Sequence, residues 1–164
     1  MDGRHAHSGV CGDCGAPFGD RQGCEAAFHE VGARALSDVR FAYRRRAVVD
    51  AYSLQHPAYI LSLKSFAAHL CGLCAAVERG ADPRAERAIW SDLRIPPDAA
   101  KPALPTLRGS LTIAGLHQAE TPEAFHTAAD AWIADVWLAW HEHHALARRW
   151  LDYAIEQRSR QQRR

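Results

Sequence analysis

The stretch Ile60-Leu-Ser-Leu-Lys-Ser-Phe66-Ala-Ala-His69-Leu-Cys-Gly-Leu-Cys-Ala-Ala-Val77-Glu-Arg-Gly80 decides the fold class. Ile60, Leu63, Phe66, Leu70, Leu73 and Val77 recur at three- and four-residue spacing, which puts them on one stripe of an α-helix. The spacing predicts a helix from about Ala58 to Arg79. Gly80, with Pro83 just beyond it, gives the stop. Nothing in this stretch alternates with the two-residue period of a strand.

The same period extends upstream. Pro57 disfavours helix in the residue before it, so a second helix over roughly Val39–Gln55 must end near His56. Phe28, Val31, Ala35 and Leu36 mark another helix from about Glu25. Downstream, Gly80, Pro83, Pro96, Pro97, Pro102, Pro105 and Gly109 make residues 80–120 an irregular Pro-rich crossover, with one short helix around Arg84–Leu93. Leu111-Thr-Ile-Ala reads equally as a strand or a helical turn. Thr121-Pro122-Glu123 is an N-cap, an N1 proline and an acidic first turn. A helix from there to Gln157 would be about 54 Å long, too long for a chain of this size. A kink near His141–His144 is therefore expected, with a basic tail over 158–164. The expectation is an all-α, irregular helical bundle, one domain over 1–164, carrying an N-terminal Cys-rich zinc knuckle over 1–30.

Composition sets outer bounds. The chain has 164 residues, 48% of them hydrophobic and 24% charged, with a net charge of +1. That balance gives a packed core and no general pull toward nucleic acid, although Arg44–Arg46 and Arg158–Arg164 are local basic runs. No apolar stretch is long enough to span a bilayer, and Met1–His5 lacks a secretory h-region. Five cysteines without such a signal place the chain in the reducing cytoplasm. The expected partner is a small molecule or a protein, with no membrane.

The chemistry begins at Cys11-Gly-Asp-Cys14, followed by Cys24 and His29. A Cys-x-x-Cys turn supplies two ligands from one knuckle, and a structural Zn²⁺ needs four. Cys11, Cys14 and Cys24 are three. His5, His7 and His29 compete for the fourth place, and His29 is preferred because only it falls on a predicted helix. Free cysteines in a leader would be the bland alternative. A redox Cys-x-x-Cys would need a strand-to-helix junction that is not visible here.

A second group is polar. Asp50, Tyr52, Gln55 and His56 crowd four hydrogen-bonding side chains into a helix end, and His69 sits mid-helix beside Gly72 and Ala76. His141-Glu142-His143-His144 follows Trp132, Trp137 and Trp140. Each histidine could be a cap or a satisfied core residue. Alternatively, Asp50, His56, His69 and His144 could meet as a catalytic site, around a second divalent ion with open positions, in a hydrolase-like enzyme. Cys71 and Cys74 share a helical face but behave more simply as small hydrophobes.

With these residues in view, the chain resembles a bacterial family of small proteins of unknown function. The resemblance rests on Cys11-x-x-Cys14-Gly15, Cys24, Val49-Asp50-Ala51-Tyr52-x-x-Gln55-His56-Pro57, His69-Leu70, Glu78-x-Gly80, His126, and Trp132 through Val136-Trp137-x-x-Trp140 to His143-His144. It implies that Asp50, His56, His69 and His144 belong to one polar site. It offers no counterpart to His29 or to the Cys71/Cys74 pair, and it brings no reaction with it. Three functions follow as expectations: a metal-dependent enzyme, a zinc-stapled interaction or regulatory module, and, against the net charge of +1, a nucleic-acid binder working through Arg44–Arg46 and the C-terminal arginines. Histidines converging on a pocket mark the first; dispersed histidines, each held by a backbone group, mark the second.

Overall fold

A computed structural model describes residues 9–80, 85, 88–89 and 93–163. Among them the regular structure is entirely helical. The α-helices whose bounds fall on described residues are α1 (Arg21–Ser37), α2 (Arg45–Gln55), α3 (Leu63–Glu78), α4 (Ala114–Gln118), α5 (Pro122–Ala139) and α6 (His144–Gln162). Short 3₁₀ turns join them at Val39–Phe41, Pro57–Ile60 and His141–His143. No described helix is long and apolar enough to cross a membrane. His5, His7 and most of the short helix expected at 84–93 lie outside the described residues.

Helix starts follow local chemistry. Asp20, Ser62 and Thr121 each accept a hydrogen bond from the backbone N–H three residues on, capping α1, α3 and α5. The segment read as one helix from Val39 to Gln55 is broken. Asp38 caps a 3₁₀ turn through Arg40 N, and Arg44 takes a left-handed conformation (φ 47°) before α2 begins. As expected, α2 stops at Gln55 ahead of Pro57. The ambiguous Leu111–Ala114 piece leads into α4 and is not a strand.

The last helix breaks where its length demanded. Trp140 closes α5, and α6 starts at His144 and runs on through the basic residues expected as a tail. At the break Trp140 N is shared between Val136 O and Trp137 O, leaving the helix-end carbonyls short of donors. The histidines supply them: His141 Nδ1 lies 3.1 Å from Leu138 O, and His144 Nε2 lies 2.8 Å from Trp137 O.

The core sits where α3 packs between α2 and α6, with α5 crossing both α2 and α3. Phe66, Trp132, Trp140 and Trp150 are fully buried, and the Phe66 ring meets Trp150 edge-on at 6.0 Å. Trp132, Trp137, Trp140 and Trp150 are core. Cys71 and Cys74 are buried in α3, and burial pushes the Cys74 thiol up to about 11, so both behave as small hydrophobes.

The Pro-rich crossover is fixed by polar contacts rather than by its own structure. Asp135 of α5 accepts from the backbone N–H of Ser110 and of Leu111 and from the Ser110 hydroxyl. Gln55, the last residue of α2, donates Nε2 to Arg108 O and Leu111 O and accepts from Trp132 Nε1 at 3.0 Å. Gly109 (φ 112°) lies between them. A Cβ there would stand 2.7 Å from Asp135 and 3.0 Å from Gln55.

Gln55→Leu keeps the volume but strips partners from a buried indole N–H and two carbonyls. It should lower unfolding stability by about 3 kcal/mol in a denaturant titration. A loss below about 0.5 kcal/mol would show that Gln55 does not anchor the crossover.

Candidate metal centre

Four donors come together near the N-terminus: Cys11, Cys14, Cys24 and His56, all within 4.8 Å of one another. The knuckle is a tight turn in which Gly15 N bonds Cys11 O and Cys11 N bonds Ala16 O, both at 2.8 Å. Cys24 sits in the first turn of α1, facing inward. His56 stands just past the end of α2 in extended backbone (φ −119°, ψ 101°) because Pro57 bars helix there. Cys11, Cys24 and His56 are buried, and Cys14 is half-buried.

The spacing fits a tetrahedron. Cys14 Sγ and Cys24 Sγ are 3.7 Å apart, and His56 Nε2 lies 3.7 Å from Cys11 Sγ and 3.5 Å from Cys24 Sγ. Bonds of about 2.3 Å to sulfur and about 2.0 Å to nitrogen put tetrahedral corners roughly 3.8 Å apart for S–S and 3.5 Å for S–N. A disulfide would need sulfurs about 2.0 Å apart, and all five cysteines are free.

The surroundings orient the donors. His56 Nδ1 donates to Tyr52 O at 2.7 Å, which fixes the tautomer and leaves Nε2 bare toward the thiols. Tyr52 stacks on His56 at 4.0 Å and on Phe28 at 3.9 Å, sealing that side with aromatic rings. The Tyr52 hydroxyl is buried beside the Cys24 thiol with no oxygen or nitrogen partner among the described residues. It therefore has a donor to offer a thiolate. From the crossover, Arg108 bonds Asp13 O in the knuckle and Gln55 O beside His56, clamping the two sides together. Without a cation, the Cys24 thiol and burial push Cys14 up to about 12, so a metal must displace protons to bind. Three thiolates, an imidazole and a spare hydroxyl donor fit a soft divalent ion.

His29 does not take the fourth corner. It stands five residues after Cys24, about 140° around the helix. Its side chain is 69% exposed and lies 3.8 Å from Glu25. His56, singled out in the sequence for a different site, is the fourth donor, and the 32 residues between it and Cys24 hid the link.

The four residues expected to share a catalytic site are divided. His56 belongs to the cysteine cluster. Asp50 and His69 do meet: Asp50 Oδ1 accepts from His69 Nδ1 at 2.8 Å, and Oδ2 accepts from Arg46 Nε at 3.1 Å. Hairpin register explains this. Asp50 lies six residues before His56 and His69 six after Leu63, so each stands about 9 Å from the turn. The turn itself, with His56, is then out of reach. His144 stacks on Trp137 at 3.8 Å, with Nε2 on the Trp137 carbonyl.

Asp50 is completely buried, and α3 crosses it so closely that a Cβ on Gly72 would fall 2.2 Å from Oδ2. Burial pushes the Asp50 carboxyl up, while His69 and Arg46 pull it down. Both partners already occupy the carboxylate, and one is a guanidinium. The donors for a second divalent ion are not assembled here.

No curated protein and no solved structure matches the chain. A family model does match, over residues 9–141, which takes in all four metal donors together with Asp50 and His69 and stops short of His144. The chain therefore belongs to the family of unknown function DUF5946.

Proposed function

We propose that Cys11, Cys14, Cys24 and His56 hold one structural Zn²⁺, and that the chain is a cytoplasmic, zinc-stapled binding or regulatory module with no chemistry at the metal. The observation that carries this reading is the fourth donor. With His56 added, three thiolates and an imidazole fill a tetrahedron, and no position is left for water or substrate. The histidines elsewhere support it. His126, His141, His143 and His144 each bond a backbone carbonyl instead of converging on a pocket.

One observation favours an enzyme as the second reading. Asp50 holds His69 Nδ1, so the ring is oriented as in an acid–base dyad, and Nε2 has no hydrogen-bond partner among the described residues. In that reading His69 is the general base and Asp50 its orienting partner. Arg46 on the same carboxylate and the absence of His56 and His144 weigh against it.

Protein purified without added metal should carry about one zinc per chain by elemental analysis, as a closed four-ligand site requires. His56→Ala and the Cys11→Ser, Cys14→Ser pair should each lose most of it, and His29→Ala should lose none. Equal retention in His56→Ala and loss in His29→Ala would overturn the ligand assignment.

Stripping the metal with a chelator should lower Tm by roughly 10 °C or more and weaken the near-ultraviolet circular dichroism of the buried aromatic residues, because metal binding free energy is folding free energy here. An unchanged melt after verified zinc loss would contradict a structural role.

His69→Gln separates module from enzyme. On the module reading it changes stability by about 1–2 kcal/mol, and the zinc-loaded chain hydrolyses model esters and phosphoesters no faster than buffer. Hydrolysis by the parent chain that disappears in His69→Gln would establish the enzyme instead.

A further inference from the structure

Two hollows lie side by side against α2. One, of about 450 Å³, opens between the start of α2 and α3, with Arg44, Arg45 and Arg46 over a floor of Gly72, Ala75 and Ala76. The other, of about 410 Å³, runs between α1 and α2 and is walled by Phe28, Val31, Leu36, Phe41, Val48 and Phe125. Tyr43 and Arg45 line both, so the two share a wall. Each falls in the size range of small-molecule sites, and together they combine apolar walls with a few convergent cationic groups.

The charge on the shared wall is not neutralised. Arg44 pairs with Asp130 and Arg46 with Asp50. Arg45 is exposed and has no ion pair or hydrogen bond among the described residues. A guanidinium in that position grips a carboxylate or phosphate through two parallel N–H donors.

The apolar groove is also held open. Gly32 lines it from the middle of α1, and a Cβ built there meets nothing within 4 Å. Glycine in a helix interior is less favourable than alanine, and here no packing demands it. At the mouth, Leu36 is left 71% exposed although it is a large aliphatic side chain.

We propose that the paired hollows bind one small amphiphilic anion, with its alkyl or aryl body in the α1–α2 groove and its carboxylate or phosphate on Arg45. The assignment rests on reading the chain as a binding module, and it names the ligand class. Binding needs no covalent step. The apolar body replaces water along the groove, and the head group supplies the counter-charge that Arg45 lacks.

The test is a calorimetric titration of the zinc-loaded full chain with dodecanoate and, separately, dodecyl phosphate, whichever binds more tightly identifying the head group. At least one should bind saturably with one site, and dodecyltrimethylammonium should bind roughly tenfold or more weaker. Arg45→Glu should weaken binding about tenfold or more while leaving Tm unchanged, since an acidic residue is favourable in the first turn of α2. Gly32→Leu should abolish binding and leave Tm equal or higher, because the added side chain fills open space on a better helix former. No saturable binding of either anion up to about 1 mM overturns the proposal, and so does binding unaffected by both substitutions. Zinc content measured on the same samples keeps the failures apart. A zinc-loaded, folded chain that binds neither anion refutes the ligand class and leaves the module standing. A folded chain without zinc refutes the module.

Discussion

The hydrogen bond from His56 Nδ1 to the Tyr52 carbonyl, 2.7 Å long, is the constraint on which the rest depends. Pro57 stops α2 one residue earlier, and this bond then turns the imidazole so that Nε2 faces three sulfurs contributed by the knuckle and α1. A flexible histidine would meet those thiols rarely. A fixed one completes a coordination sphere before any metal arrives. On the proposed reading, metal–ligand bonds offset the cost of ordering the Gly-rich N-terminal turn, on the order of 1–2 kcal/mol per residue, beside the burial of Cys11 and Ala16.

The end of α2 does more than carry a ligand. Over seven residues, Asp50 reaches His69 on α3, Tyr52 stacks on Phe28 of α1, and Gln55 binds both the crossover and Trp132 of α5. His56 adds the metal corner. These contacts run in different directions from one short helix, so it acts as the hub that fixes its neighbours. Arg108 closes the circuit by tying the crossover to both the knuckle and Gln55. Loss of a metal bound at this cluster would therefore be felt along α2 and not only in the N-terminal turn.

Local signals were legible in the sequence. Pro57 ended α2, Thr121-Pro122 began α5, and the length of the final helical pattern required the break that the histidine cluster now caps. The three cysteine donors were legible for the same reason, since a knuckle and a helix start lie within fourteen residues. The fourth donor was not. His29 looked closer because sequence distance was the only ruler, and its position about 140° from Cys24 removed it. Likewise, the meeting of Asp50 with His69 depends on hairpin register, which sequence fixes only through the length of the 56–62 turn. That register also separates them from His56. The split of the Arg44–Arg46 run into paired and unpaired charges depends on Asp130, which only tertiary packing brings near, and on Asp50, one turn beyond Arg46 in the same helix.

Zinc K-edge X-ray absorption on the purified chain tests the central claim most directly. A closed site with His56 as fourth ligand predicts three sulfur scatterers near about 2.3 Å and one imidazole nitrogen near about 2.0 Å, with the imidazole signature lost in His56→Ala and kept in His29→Ala. A spectrum with an oxygen ligand from water in the parent chain, or an imidazole signature that survives His56→Ala, would contradict it.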